Sequence, residues 1–210
     1  LGEENSEITG PLYGTRTPAS WPYNAEGFDF YDVKGLMEAV LTSLGIHAQL
    51  RASDYAPLHP GKAAEYVVGD TVLCRFGELH PQCVDNYDVA GPVYVFEMYL
   101  KDLLPLINLI PDYHKVGKFP ALTRDLAVLV PVSAKHADLL NILREKGGQY
   151  LEGVHLFDVY SGEQVPRGFV SLAFALTFRS AEGTLSDADI QQPVTDILEE
   201  LQEKAGAKLR

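Results

Sequence analysis

The chain has 210 residues, of which 46% are hydrophobic, so it can bury the core of one large domain or of two small ones. Its 29 acidic side chains outnumber its 17 lysines and arginines, and the formal net charge of -12 argues against a broad basic surface that would coat a phosphate backbone. No apolar run approaches the roughly 18 residues of a membrane-spanning helix, and we expect a soluble, cytoplasmic protein that binds neither membranes nor DNA.

The sequence contains only two cysteines, Cys74 and Cys83, which is too few for a disulfide-based scaffold. Their spacing does not match the short cysteine pairs that bind zinc, although His59 and His80 lie nearby in the sequence. A metal site built from these residues is one alternative, but reduced, partly buried thiols are the simpler interpretation. We therefore predict no metal site.

The first predicted helix follows a stretch of loops and short strands, residues 1–30, that is rich in glycine, proline, serine and threonine. Apolar residues then recur at helical spacing, at Val33, Leu36, Met37, Val40, Leu41 and Leu44. Asp32 is the predicted N-cap of this helix, and Gly45 is its predicted C-terminal stop. This pattern is typical of an amphipathic helix with one packed face.

Between His47 and about Leu100 the pattern changes to short β-rich runs separated by turn clusters such as HPG, GD and DVAGP. These runs predict an antiparallel sheet that packs on the first helix. The segment NLIPDYHKVGKFPAL is then interrupted by two prolines and a glycine and is the candidate linker. We accordingly place a first domain at residues 1–112, a linker at 113–120 and a second domain at 121–210.

The second half has its own order of strands and helices. RDLAVLVP is predicted to be a buried strand, and SAKHADLLNILREKGG a helix with Ser133 as its N-cap. QYLEGVHLFDVYSG and GFVSLAFALTFRS predict a hairpin, a second helix follows, and AKLR can return as an edge strand. Pro193 removes a backbone donor, so we expect the second helix to begin or kink there. The order βαββαβ predicts an α+β domain, a four-stranded antiparallel sheet with both helices on one face.

One strand of this predicted sheet, LFDVY, carries an aspartate among apolar residues. Side chains alternate between the two faces of a strand, so Asp158 and Tyr160 lie on the same face. We expect Val159 on the other face, in the core beneath the helices, together with Phe157. Asp158 and Tyr160 then share the helix-free face with Ser171 of the neighbouring strand. A one-residue bulge would reverse this assignment.

A fixed carboxylate on an open surface suits the recognition of guanine, because guanine presents two adjacent donors on its Watson–Crick edge. A neighbouring aromatic ring can stack on the base, an interaction worth about 1–3 kcal/mol that needs no positive charge. The alternative is a structural role, in which Asp158 forms an ion pair with Arg179 or Arg210 across the sheet, worth at most about 1 kcal/mol.

Several motifs of the second half occur in the order of a known family: FPALTRDLAVLV, LFDVYSG, SLAFALTF, TLSD and the terminal LR. They resemble the ferredoxin-fold anticodon-binding domain that ends the beta chain of bacterial phenylalanyl-tRNA synthetase. In the first half, FDFYDVKG, LHPGKAAEYV, GELHP and VYVFEMYL resemble the end of the catalytic-like domain of the same chain, a class II synthetase fold without catalysis. The resemblance covers nearly the whole sequence.

The resemblance implies a part in attaching phenylalanine to tRNA(Phe), with no catalytic residue and no cofactor in this segment. It implies an alpha chain as partner in an (αβ)2 heterotetramer that uses ATP and Mg2+, and contact with the anticodon stem-loop of tRNA(Phe). Carried over by position, it implies that Asp158 and Ser171 hold the guanine at the first anticodon position. Phe157, Tyr160 and Arg210 match neighbours at that site, although strict alternation would turn Phe157 toward the core.

Two other functions are compatible with parts of the sequence. Sheets of βαββαβ order also bind small regulatory molecules such as amino acids, but the turn VPVSAK lacks the glycine that such sites commonly carry. An enzyme within the first half would need a convergent nucleophile, base and oxyanion site. His59, Glu78 and His80 do not supply that set.

Overall fold

The computed structural model describes residues 5–110, 113 and 117–209. The chain divides into two compact units, residues 1–113 and 114–210. Each unit combines an antiparallel sheet with helices, so the predicted α+β fold class is confirmed. Among the described residues, no helix combines the length and the apolar character that crossing a bilayer requires.

The first unit is built on a five-stranded sheet. The strands of the unit, five of which form this sheet, are β1 (Glu7–Leu12), β2 (Thr15–Thr17), β3 (Glu26–Gly27), β4 (Gln49–Ala52), β5 (Leu58–Val68), β6 (Thr71–Leu79) and β7 (Tyr94–Tyr99). Its helices are α1 (Phe30–Ser43), α2 (Pro81–Asn86) and α3 (Leu100–Leu103), followed by a 3-10 turn at Leu104–Leu106. The antiparallel sheet has the order β1-β7-β6-β5-β4, while β2 and β3 pair with each other.

Helix α1 packs on this sheet through one apolar face, as predicted, except that Leu36, which was expected on that face, is 40% exposed. Val33, Met37 and Leu41 recur at four-residue spacing and are buried. They share a core cluster with Phe76 of β6 and Met98 of β7, which are also buried. The antiparallel sheet predicted for the first half is therefore confirmed, together with its packing on the helix.

The ends of α1 are set by two capping devices. The helix begins earlier than predicted, because Asp29 rather than Asp32 is the N-cap. The carboxylate of Asp29 accepts the backbone N–H of Asp32, whose own carboxylate accepts the N–H of Asp29 at 2.8 Å. The two aspartates are three residues apart and the sequence pattern fits either as the cap. Gly45, the predicted stop, follows the C-cap with a left-handed φ of 68°.

A row of alternating charges crosses the face of the sheet opposite α1. Arg75 of β6 lies directly between Glu97 of β7 and Glu65 of β5. Arg51 of β4 lies on the other side of Glu65. Glu65 is 6% exposed and accepts hydrogen bonds from Nε of Arg51 at 2.6 Å and Nε of Arg75 at 3.0 Å. Burial disfavours the ionised form, but these two bonds outweigh it and hold the pKa of Glu65 below its ordinary value.

The second unit has the predicted order βαββαβ, which is confirmed. Its elements are β8 (Leu122–Pro131), α4 (His136–Lys146), β9 (Leu151–Tyr160), β10 (Phe169–Phe178), α5 (Asp187–Ala205) and β11 (Lys208–Leu209). They form a four-stranded sheet of order β11-β8-β10-β9, in which every neighbouring pair is antiparallel. The central strand β10 pairs with β8 along its whole length.

The core of the second unit lies between the helices and one face of the sheet. Alternate residues of β10 point into it, namely Leu172, Phe174, Leu176 and Phe178. They pack with buried residues of α4 and α5, among them Leu139, Leu143, Ile197 and Leu201. Both helices therefore cover the same face of the sheet and leave the other face free of helices.

The first helix of the second unit starts later than predicted, and the second helix does not begin at Pro193. Helix α4 begins at His136 and not at Ser133, because Ser133 lies in a turn. A hydrogen bond from the N–H of Ala134 to the carbonyl of Pro131, 2.9 Å long, closes this turn. Helix α5 begins at Asp187, well before Pro193, and continues through that proline to Ala205. Its start is fixed by the Ser186–Asp189 capping box, where the serine N–H and hydroxyl each donate to the aspartate at 2.7 Å.

Candidate nucleic-acid interface

The helix-free face of the four-stranded sheet, here called the open face, has a floor of small side chains. On the central strand β10 this floor consists of Ser171, Ala173, Ala175 and Thr177, the residues between those that point into the core. Residues directly opposite one another in antiparallel strands share a face, so the register identifies their neighbours. None of these four residues is large, and Ala173, Ala175 and Thr177 are partly exposed on this face.

Asp158 lies on the open face, directly opposite Ala173, and is exposed. Among the described residues, no group forms a hydrogen bond or an ion pair with its carboxylate. Arg179, one of the two ion-pair partners considered for Asp158, instead donates to Glu152 at 3.0 Å and to the carbonyl of Phe119 at 2.8 Å. The alternative of an Asp158–Arg179 ion pair is therefore excluded, and the carboxylate of Asp158 faces solvent.

Tyr160 and Ser171 lie directly opposite each other on the same face, next to Asp158. Tyr160 is partly buried, whereas Ser171 is only 3% exposed. Both side chains take part in further interactions within the chain. A ligand would meet Asp158 and Tyr160 first, and direct contact with Ser171 would require the groups that cover it to move.

Strand β9 carries a bulge at Phe157, which decides where this side chain lies. The register runs from Asp158 opposite Ala173 directly to Leu156 opposite Phe174, so Phe157 is the extra residue. Its side chain is 51% exposed, and the alternative of a core phenylalanine is wrong. The bulge releases Phe157 from the alternation that would have buried it.

Val159 does not lie in the core, and this expectation was wrong. Although Val159 is opposite Leu172 in the register, it is 60% exposed. Strand β9 is an edge strand with one neighbour, and only its earlier apolar residues, Leu151, Val154 and Leu156, pack against the core. The end of β9 therefore presents exposed side chains of both alternating sets, which makes it accessible to a ligand.

The bulge also brings to the open face a residue that alternation assigned to the core side. His155 is exposed and lies opposite Ala175, whose other neighbour is Asp125 of β8. Counting in steps of two from Asp158 leads to Leu156 and misses His155. No glycine or proline at this point of β9 signals a bulge, so the sequence gives no means of finding it.

A cation lies at the end of the open face that carries Tyr160 and Ser171. Lys208 of β11 is opposite Leu129 of β8, which is in turn opposite Ser171. The ammonium group of Lys208 is 5.4 Å from the centre of the Phe169 ring, within range of a cation–π contact. Arg210, the remaining predicted member of the site, lies outside the described residues.

The first unit contains the residues of the alternative metal site, Cys74, Cys83, His59 and His80. Cys74 is fully buried, which raises the pKa of its thiol to about 11. The Nδ1 atom of His59 accepts the N–H of Gly61, and that of His80 accepts the first-turn N–H of Gln82 in α2. No group of three or more His, Cys, Asp or Glu side chains in the described part of the chain could hold a metal ion. A cavity of about 250 Å3 beside Arg75 is lined by no serine, cysteine or histidine among these residues.

Models of protein families match both units. The model described as a ferredoxin-fold anticodon binding domain matches residues 117–210. This match identifies the second unit as a ferredoxin-fold domain of the anticodon-binding class. The model described as the phenylalanyl tRNA synthetase beta chain CLM domain matches residues 1–100.

Three bacterial relatives, each named phenylalanine–tRNA ligase beta subunit, align with the whole chain. Identity is 34% over 211 residues with the protein of Lactiplantibacillus plantarum, covering 99% of this chain and 26% of the relative. It is 38% over 212 residues for Clostridium acetobutylicum, covering 100% and 25%, and 37% over 209 residues for Moorella thermoacetica, covering 99% and 26%. The chain spans about a quarter of the length of these curated relatives. It belongs to the phenylalanyl-tRNA synthetase beta-chain family.

Proposed function

We propose that this chain is the C-terminal part of a phenylalanine–tRNA ligase beta chain and that its second unit binds the anticodon stem-loop of tRNA(Phe) in the cytoplasm. In this proposal the carboxylate of Asp158 accepts the imino and amino protons of guanine at the first anticodon position. The observation that carries the proposal is the exposed carboxylate of Asp158 on the open face, without a partner among the described residues. A carboxylate that none of these residues engages keeps its acceptor positions for a ligand.

Stacking supplies the remaining affinity in this proposal. The rings of Phe157 and Tyr160 flank Asp158 along β9, and a base stacked on an aromatic ring gains about 1–3 kcal/mol without any positive charge. This suits a chain with a net charge of -12, whose surface is unsuited to tracking a phosphate backbone. Ser171 and Arg210 complete the proposed site, Ser171 as a second hydrogen-bonding group and Arg210 as a cation beside the base.

Subunit assembly is the proposed role of the first unit. The relatives are beta subunits, and we infer an alpha chain as partner in an (αβ)2 heterotetramer that uses ATP and Mg2+ for aminoacylation. The chain itself is proposed to supply neither catalytic residue nor cofactor ligand. Trp21 and Tyr23, between β2 and β3, are 96% and 73% exposed, and large aromatic side chains so exposed are enriched where proteins bind other proteins.

Replacing Asp158 by alanine is expected to abolish the preference for guanine at the first anticodon position. The test uses the full-length beta chain carrying this segment, assembled with its alpha chain, and stem-loops with guanine or adenine at that position. Because hydrogen bonds to a charged acceptor contribute about 1.5–3 kcal/mol, the native complex should prefer guanine by about 10- to 100-fold. Equilibrium binding measured by fluorescence anisotropy gives both affinities.

Glu199→Ala is the matched control, because Glu199 is an exposed carboxylate on α5, on the helix-covered side of the sheet. This variant should retain the guanine preference, which separates a loss of base recognition from a general change in charge. Equal affinity of the native complex for both stem-loops would contradict the role of Asp158. Family membership does not depend on that result.

A further inference from the structure

The loop that follows β9 contains a glycine in contact with the aromatic ring of the candidate site. Gly162 lies two residues after Tyr160, and a Cβ atom built on it would overlap the phenol oxygen and the ring carbon Cζ of Tyr160. The same Cβ would lie 2.8 Å from the ring carbon Cε2. The three nearest atoms all belong to the Tyr160 side chain, so the absence of a side chain at position 162 leaves space for the phenol.

The backbone does not by itself require glycine at this position. The φ angle of Gly162 is not left-handed. Gly168 in the same loop has a left-handed φ of 85°, and a Cβ atom built on it would meet nothing within 4 Å. Gly168 is thus needed for its backbone conformation, and Gly162 only for space. A substitution at Gly162 therefore acts on the Tyr160 ring rather than on the turn.

We infer that Gly162 is a positioning residue for base recognition, because it seats the Tyr160 phenol against the backbone and so fixes the ring beside Asp158. The inference rests on the proposed function. Tyr160 shares the open face with Asp158 and lies opposite Ser171, so the direction of its ring decides whether a base held by Asp158 can also stack. A base can stack on Tyr160 only if the plane of its ring is fixed, and the backbone of Gly162 supplies the surface against which the ring is held.

A glycine that positions the Tyr160 ring affects RNA binding differently from a glycine that only supports the fold. The atoms that a new methyl group would meet are the far end of a flexible side chain, so the ring can turn away without disturbing the backbone. Gly162→Ala should consequently lower affinity for RNA while leaving the fold and its stability nearly unchanged. The preference for guanine over adenine should survive, because Asp158 is untouched.

The experiment compares Gly162→Ala, Tyr160→Ala and the double variant in the assembled ligase complex, with the guanine stem-loop as the probe. Loss of one stacking contact corresponds to about tenfold weaker binding for each single variant. The double variant should bind no more weakly than Tyr160→Ala, since Gly162 acts only through that ring. Gly153→Ala, on β9 with nothing within 4 Å of its would-be Cβ, is the control and should bind like the native complex.

A second readout follows the ring without RNA. Fluorotyrosine incorporated at position 160 should show a shifted fluorine resonance in Gly162→Ala and an unshifted one in Gly153→Ala. If Tyr160→Ala weakens binding and Gly162→Ala neither weakens binding nor shifts the resonance, the inference is overturned while the proposed base contact stands. If Tyr160→Ala binds as tightly as the native complex, the proposed stacking fails, and the inference fails with it.

Discussion

Phe174→Ala is expected to destabilise the second unit by about 3–5 kcal/mol, the usual loss for removing a buried phenylalanine. Phe174 is fully buried on β10, the strand that pairs with both β8 and β9. Its ring also stacks with that of His136 at the start of α4, with centroids 6.0 Å apart. Because domains are stable by only about 5–15 kcal/mol, the loss would be a large share of the total. Hydrogen exchange of the β10 amides in urea measures it within this unit.

Phe157→Ala is the matched control, because it removes the same ring from the neighbouring strand at a site that is 51% exposed. We expect it to change the stability by less than about 1 kcal/mol, since little buried surface is lost. In the proposed function it should instead weaken binding to the stem-loop. Equal destabilisation by the two substitutions would contradict the assignment of Phe157 to the bulge and of Phe174 to the core.

Glu65→Ala is expected to destabilise the first unit by about 3 kcal/mol, since removing one partner of a buried ion pair leaves the other charge uncompensated. Both Arg51 and Arg75 would lose their carboxylate partner, although the side chain of Arg51 is 48% exposed and can be hydrated instead. Urea unfolding followed by hydrogen exchange of the β5 amides measures the effect. Glu26→Ala is the control, because its ion pair with Arg16 is exposed and should contribute less than about 1 kcal/mol.

The same carboxylate gives the first unit a specific pH dependence. The pKa of Glu65 is lowered in the folded protein, so its contribution is complete above the ordinary pKa of about 4.3 and is lost as the pH falls through the lower folded value. The urea concentration at the unfolding midpoint of the native protein should decrease as the pH is lowered from about 5 to 3. For Glu65→Gln the decrease should be smaller. Identical pH profiles for the two proteins would show that Glu65 does not hold an ion pair in the folded state.

The fold was predictable because its signals repeat over many residues. The order βαββαβ follows from long runs in which apolar residues recur every two residues in strands and every three to four in helices. Gly45 follows the end of α1, and AKLR contains the edge strand β11, both as expected. Helix starts were less certain, because Asp29 and Asp32 both fit the pattern of an N-cap and Ser133 fits it without serving as one. An N-cap is the residue whose side chain accepts a hydrogen bond from the first turn of the helix. The sequence shows only which residues carry a suitable acceptor, not which of these bonds forms.

The candidate site was predictable only up to the point where the strand departs from regular alternation. Asp158 and Tyr160 lie beyond the bulge, where alternation with the central strand holds, so their shared face followed from the sequence. Phe157 and His155 could not be placed, because a bulge arises from how two strands pair and leaves no residue-type signal here. The contact of Gly162 with the Tyr160 ring depends on a side-chain direction that no periodic pattern encodes.

The most direct measurement of the central claim replaces guanosine by inosine at the first anticodon position, which removes only the exocyclic amino group. With the native ligase complex, the guanosine stem-loop should bind about tenfold more tightly than the inosine stem-loop, the value of one hydrogen bond to a charged acceptor. With Asp158→Ala the two stem-loops should bind equally. A guanosine-to-inosine difference that is the same in the native complex and in Asp158→Ala would contradict base recognition by this carboxylate.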